Sequence, residues 1–118
     1  MKNNFKSSLG TRVTKNDAMS WIDQYDQTNR SDKDNDTKSV FYGRDVLLQL
    51  LNAEGSAGIT FFLALKPQDA GGKKTVQLVL VSTKEDGTLI WGDGSALKTD
   101  GDVGPVDSGY PCPPYCPK

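Results

Sequence analysis

The stretches Gly58-Ile-Thr-Phe-Phe-Leu-Ala-Leu65 and Thr75-Val-Gln-Leu-Val-Leu-Val81 decide the fold of this 118-residue chain. Both stretches are rich in the β-branched and aromatic residues that favour strands, and turn-forming residues that include Gly71-Gly72 separate them. Because the connection is short, the pair is predicted to form an antiparallel hairpin. Thr88-Leu-Ile-Trp91 follows the turn signal Glu85-Asp-Gly87 and is a predicted third strand.

Two helices are predicted before these strands. Thr14 is a good N-cap with Asp17 three residues later, so the first helix is expected over residues 15–28. Its apolar residues follow the spacing of a single buried face: Ala18, Trp21, Ile22 and Tyr25. The second helix is expected between Gly43 and Gly55, with a buried stripe made by Val46, Leu47, Leu50 and Leu51.

These elements predict an α+β fold in which two helices pack on a small antiparallel sheet of about three strands. Both tryptophans, Trp21 and Trp91, are expected in the core. By composition the chain divides into a polar N-terminal segment (1–12), an α+β domain (13–91) and an extended Gly/Pro-rich C-terminal tail (92–118). Residues 28–38 contain no apolar side chain and are expected to form a mobile loop.

Several chemistries are excluded by composition. The chain has no histidine, which removes Ser-His-Asp and Cys-His catalysis and imidazole metal sites. It also lacks the glycine-rich patterns of phosphate-binding loops. Asp32, Asp34 and Asp36 alternate as in a calcium loop, but Thr37 and Gly43 stand where such a loop needs Gly and Glu. We therefore predict a protein that is not an enzyme and needs no cofactor. A pocket lined by two or more acids would be needed for the remaining catalytic alternative, a carboxylate site, and cation binding by loop 32–36 stays open.

Charge and hydropathy narrow the class of partner. The net charge is −1 and no run of Lys or Arg occurs, so no nucleic-acid partner is expected. No segment approaches the roughly 20 apolar residues that span a bilayer, so no membrane insertion is expected. The N-terminal stretch has no apolar h-region. A cytoplasmic location is therefore the default expectation, with export by another route left open.

The most unusual segment is Tyr110-Pro-Cys-Pro-Pro-Tyr-Cys-Pro-Lys118, which contains the only two cysteines. In a polyproline II conformation, the Cα atoms of Cys112 and Cys116 would lie about 12 Å apart. A disulfide needs a Cα separation below about 7 Å. An internal disulfide therefore requires a tight turn, which a cis proline can provide. A disulfide between two copies of the chain requires no such turn.

The motifs also resemble those of a known group. Asp17-Ala-x-x-Trp-Ile22, Gly43-Arg-Asp-Val-Leu-Leu-Gln-Leu-Leu51, Ala57-Gly-Ile-Thr-Phe-Phe-Leu63 and the Cys-Pro-Pro-Tyr-Cys tail together resemble small Bacteroidota proteins that end in Cys-Pro-Pro-X-Cys. The resemblance covers residues 13–118. It implies a bacterial source and a shared tail, and it implies no particular activity.

The predicted function is a non-enzymatic interaction or self-assembly module that binds a protein partner or another copy, forming a homo-oligomer, through its tail or sheet surface. The near-continuous hydrophobicity of the two main strands supports this prediction, because it exceeds what a one-sided sheet needs. The predicted partner-binding residues are Tyr110, Cys112, Pro113, Pro114, Tyr115 and Cys116. The alternative is a thiol-based redox or metal-binding protein that uses Cys112 and Cys116, as a disulfide or as ligands.

Overall fold

The computed structural model describes residues 4–67, 74–92 and 104–118. In chain order the elements are α1 (Lys15–Asn29), β1 (Ser39–Phe41), α2 (Arg44–Leu51), β2 (Ser56–Pro67), β3 (Lys74–Lys84), β4 (Leu89–Ile90) and β5 (Tyr110–Cys112). Strands β2, β3 and β4 form one antiparallel sheet in that order, and β1 pairs with β5 in a second. The predicted α+β class and the three-stranded meander are confirmed. The turn expected at Gly71-Gly72 and the linker at 93–103 lie outside the described residues.

Helix α1 begins where local capping predicts it. The backbone N–H of Asp17 donates to the Oγ1 of Thr14 at 3.1 Å, so the N-cap satisfies a donor that the helix leaves free. The predicted buried face is wrong, since α1 has no buried residue and Trp21 is 56% exposed. Helical spacing shows that a face is apolar, but only the tertiary structure determines whether another element covers it.

Helix α2 is attached to the sheet through Leu50, which is 2% exposed. Its carbonyl oxygen accepts a hydrogen bond from the Oγ of Ser82 on β3 at 2.7 Å, so the buried hydroxyl has a partner. Leu80 and Val81, beside Ser82, are fully buried. The rest of the predicted stripe is less covered, and Leu51 is exposed.

The chain forms two compact units, to both of which β2 and β3 contribute residues. The first comprises Met1–Leu9, Tyr42–Ala64 and Leu78–Gly109, and the second comprises Gly10–Phe41, Leu65–Gln77 and Tyr110–Lys118. In the first unit, Leu80 exchanges two backbone hydrogen bonds with Val106, at 2.8 and 2.9 Å. The Tyr42 hydroxyl donates to the carbonyl of Leu78 at 2.7 Å, and burial raises the pKa of Tyr42.

No helix among the described residues is long and apolar enough to cross a membrane.

The polar loop after α1, in the second unit, is organised around Arg30, which is 6% exposed. Its guanidinium donates to the carbonyls of Asp36 at 2.6 Å and Lys33 at 3.0 Å, and it pairs with the carboxylate of Asp26. The hydrogen bond from Arg30 lowers the pKa of Asp26. This loop was expected to be mobile because it lacks apolar residues, yet a buried and hydrogen-bonded cation forms its interior.

The carboxylates of Asp32 and Asp36 accept hydrogen bonds from within this loop. Asp36 accepts the backbone N–H of Asp32 at 3.0 Å. Asp32 accepts the Nδ2 of Asn35 at 2.9 Å and the backbone N–H of Asp34 at 3.3 Å. Asp32 and Asp36 therefore act as turn-forming acceptors, which Asp side chains commonly do in loops.

Candidate interaction sites

The first candidate site is the exposed apolar part of β2, here called the β2 edge and made up of Phe61, Phe62 and Leu63. Leu63 is 78% exposed and Phe61 is 53% exposed. Within the described parts of the chain, β3 is the single strand that neighbours β2. No charged residue or proline occurs in β2 before Lys66. Charges and prolines are the usual devices that keep a sheet edge from pairing with another chain, so this edge is open to such pairing.

The two faces of β2 have different surroundings. The Oγ1 atoms of Thr60 and Thr83 lie 2.6 Å apart, so the face that carries Thr60 and Phe62 is shared with Thr83 on β3. On this face Phe62 stacks with Trp91, with ring centroids 6.5 Å apart and planes inclined by 20°. Phe61 and Leu63 point to the opposite face, because successive strand residues alternate.

The expectation that Trp91 belongs to the core is wrong, since about half of its surface is exposed. Strand β4 is only two residues long, and Trp91 directly follows its last residue, Ile90. The side chain therefore lies at the margin of the sheet and covers Phe62 without being covered itself.

A cleft of about 200 Å³ lies beside the start of β2, between residues 5–9 and 57–60. Lys6 is its one charged lining residue, so this cleft does not bring together two acids for carboxylate catalysis. In the described part of the chain, no three metal-ligating side chains are grouped so as to hold an ion.

The second candidate site is the C-terminal loop, residues 110–118, which contains every residue predicted to bind a partner. The sulfur atoms of Cys112 and Cys116 lie 1.88 Å apart in a disulfide, and the two Cα atoms are separated by 4.6 Å. The chain therefore makes the tight turn rather than the extended conformation. The peptide bonds before Pro113 and Pro114 are both cis.

Strand β5 holds one end of this loop in the second unit. Ser39 is the register partner of Cys112, and the backbone N–H of Lys38 donates to the Cys112 carbonyl at 2.7 Å. Cys112 is 4% exposed and Pro111 is buried, whereas Pro114, Tyr115 and Cys116 are exposed. This pairing was not predicted, because Pro111 interrupts the ladder and strand periodicity is absent around it.

Three aromatic residues, here called the aromatic cluster, lie on this loop and on β1: Phe41, Tyr110 and Tyr115. The rings of Tyr110 and Tyr115 stack with centroids 4.3 Å apart and planes inclined by 21°. Phe41 is the register partner of Tyr110, so their side chains lie on the same face of the ribbon. All three are exposed. Tyr110 and Tyr115 were predicted as binding residues, and Phe41 was not.

No protein family, curated protein or solved structure matches the chain. The resemblance to small Bacteroidota proteins and the bacterial source that it implies stay predictions. Exposed apolar side chains lie in a defined geometry on the β2 edge in the first unit and in the aromatic cluster in the second. They differ in the strands that carry them, since β2 is 12 residues long, whereas β1 and β5 have 3 residues each and β5 contains Pro111, which limits pairing at its edge.

Proposed function

We propose that this protein is a non-enzymatic self-assembly module whose copies join by antiparallel pairing of their β2 edges. The observation that carries the proposal is the exposed apolar strand, on which Leu63 is 78% and Phe61 53% exposed beside a backbone edge that no strand of residues 4–67, 74–92 and 104–118 pairs with. An open strand edge has unpaired N–H and C=O groups, and adding a strand satisfies them.

A second copy is the best occupant because the strand is self-complementary about Phe62. A two-fold axis at Phe62 places Phe61 opposite Leu63 of the partner subunit, and places Leu63 opposite Phe61 of the partner subunit. The axis also places Phe62 opposite Phe62 of the partner subunit, and an aromatic pair across antiparallel strands contributes roughly 0.2–1 kcal/mol. Pairing of this kind turns two three-stranded sheets into one continuous sheet.

The charge pattern is compatible with pairing between identical strands. Like charges directly opposite each other destabilise a strand pair. In the proposed register, Lys66, the first charged residue of β2, lies opposite Gly58 of the partner subunit and not opposite another lysine. The two copies therefore meet without charge repulsion between their paired residues.

Sedimentation velocity or native mass spectrometry over a range of protein concentrations tests this proposal. Leu63→Lys places a charge in the apolar part of the paired strands, and we expect it to raise the dimer dissociation constant at least about tenfold, equivalent to about 1.4 kcal/mol. Leu48→Lys is the matched control, since Leu48 is an exposed leucine on α2. The control is expected to assemble as the unchanged protein does.

Two results would refute the proposal. One is an unchanged protein that stays monomeric up to the highest concentration at which it dissolves. The other is a Leu63→Lys variant that assembles with the same dissociation constant as the Leu48→Lys control. Circular dichroism of both variants establishes that the fold is intact before assembly is compared.

A second candidate function is thiol chemistry at Cys112 and Cys116, which the closed disulfide favours over metal binding. A zinc-type site needs thiolates and usually four ligands, so this pair would have to be reduced and joined by two further ligands. Thiol–disulfide exchange needs neither additional ligands nor a metal.

A further inference from the structure

We infer that the Cys112–Cys116 disulfide is a thiol-exchange site, and that its reduction by a dithiol releases Tyr115 from the aromatic cluster. The exchange site lies in the second unit; it rests on the thiol chemistry proposed above as the second candidate function and is independent of self-assembly through β2. It stands on three observations: the unequal burial of the two cysteines, the strand pairing of Cys112, and the stack between Tyr110 and Tyr115.

The unequal burial decides which sulfur is attacked. Cys112 is 4% exposed within β5, whereas Cys116 lies in the exposed part of the loop. Exchange needs an approaching thiolate to reach a sulfur atom, and access is one of the factors that set its rate. The incoming thiolate therefore attacks the sulfur of Cys116, and Cys112 is the leaving group.

The exchange proceeds in two steps and transfers two electrons from the dithiol. In the first step the reagent forms a bond to the Cys116 sulfur, the Cys112–Cys116 bond breaks, and the Cys112 thiolate takes up a proton. In the second step the other thiolate of the reagent attacks the reagent sulfur that is bonded to Cys116, and the bond between that sulfur and Cys116 breaks. Cys116 leaves as a thiolate and is protonated, while the dithiol becomes a cyclic disulfide.

Reduction affects the two ends of the loop differently. Cys112 keeps its place opposite Ser39, with its carbonyl bonded to Lys38, because these contacts do not involve its sulfur. Tyr115 loses the covalent link that closes the loop next to it. Its remaining attachments to β5 include the hydrogen bond from its N–H to the Pro111 carbonyl at 2.9 Å and the stack on Tyr110.

The stack faces solvent, because Tyr110 and Tyr115 are both exposed, whereas the hydrogen bond ends on the carbonyl of the buried Pro111. A single hydrogen bond between neutral backbone groups contributes a net of about 0.5–1.5 kcal/mol, so without the covalent link it holds Tyr115 only weakly. The cluster therefore loses the Tyr115 ring on reduction, while Phe41 and Tyr110 stay paired through the β1–β5 register. The disulfide state in this way sets the size of an exposed aromatic surface.

The first test reduces the folded, full-length protein with dithiothreitol in the absence of denaturant. A short pulse of iodoacetamide and fragment mass spectrometry then give the labelling rate at each cysteine. We expect Cys116 to be labelled at least about tenfold faster than Cys112, since thiol reactivity follows exposure. Resistance to dithiothreitol without denaturant, or equal labelling rates, would overturn the assignment of an exchange site.

The second test follows the tyrosine ring resonances by NMR in the oxidised and reduced protein. We expect the Tyr115 resonances to move to the positions of an unstructured tyrosine, and those of Tyr25 on α1 to stay unchanged as the control. The double variant Cys112→Ser/Cys116→Ser should match the reduced protein. If the reduced protein or this variant keeps the Tyr115 resonances of the oxidised protein, the proposed release is wrong.

Discussion

Replacing Arg30 by methionine removes the guanidinium inside the loop after α1 while keeping much of the side chain's length. Arg30 is 6% exposed and donates to the carbonyls of Asp36 at 2.6 Å and Lys33 at 3.0 Å. Hydrogen bonds from a charged group contribute about 1.5–3 kcal/mol each, and an exposed acceptor such as Lys33 regains water when its bond is lost. We therefore expect Arg30→Met to lower the free energy of unfolding by about 3 kcal/mol.

Urea denaturation followed by circular dichroism measures this loss. Arg12→Met is the matched control, because Arg12 is exposed and is replaced in the same way. Surface substitutions of this kind usually change stability by less than about 0.5 kcal/mol. Amide hydrogen exchange of residues 31–37 should also accelerate in Arg30→Met and not in Arg12→Met. A stability loss equal to that of the control would refute the view that a buried cation organises this loop.

Two further predictions concern charge and packing. Because the hydrogen bond from Arg30 lowers the folded-state pKa of Asp26 below its ordinary 3.8, its ionised form stabilises the protein above pH 3.8. That contribution is lost as the pH falls through the folded pKa. Urea titration should therefore show that the stability difference between the unchanged protein and Asp26→Asn shrinks over this acid range. A stability difference that does not depend on pH would contradict the linkage. Leu50→Ala should lower the free energy of unfolding by about 2–5 kcal/mol because Leu50 is 2% exposed. The exposed Leu51→Ala should cost under about 1 kcal/mol, and equal losses in the two variants would place the core elsewhere.

Much of the fold could be predicted because its signals are local. Thr14 and Asp17 define the start of α1 through a hydrogen bond between residues three apart. The two long apolar stretches likewise define β2 and β3, since side-chain type and period are properties of the segments themselves. The tail stands out by its composition, and the spacing of its two cysteines predicts the tight turn that their disulfide needs.

The candidate sites were only partly predictable. Apolar strands indicated that the sheet had more hydrophobic surface than it needed, but the periodicity did not show that Leu63 is uncovered while Val81 is fully buried. The pairing of Phe41 with Tyr110 joins residues far apart in the chain, and no local pattern around a proline-rich segment predicts such a partner.

By itself, the sequence determined the helix starts, the strand positions, the α+β class and the exclusion of histidine chemistry. The tertiary structure alone decided which apolar residues are covered, as the exposed Trp21 and the buried Leu50 show. It also decided that Arg30 forms the interior of a polar loop and that Tyr110–Cys112 is a strand. The physical reason is that capping and periodicity act between near neighbours, whereas burial and strand pairing depend on contacts between distant segments.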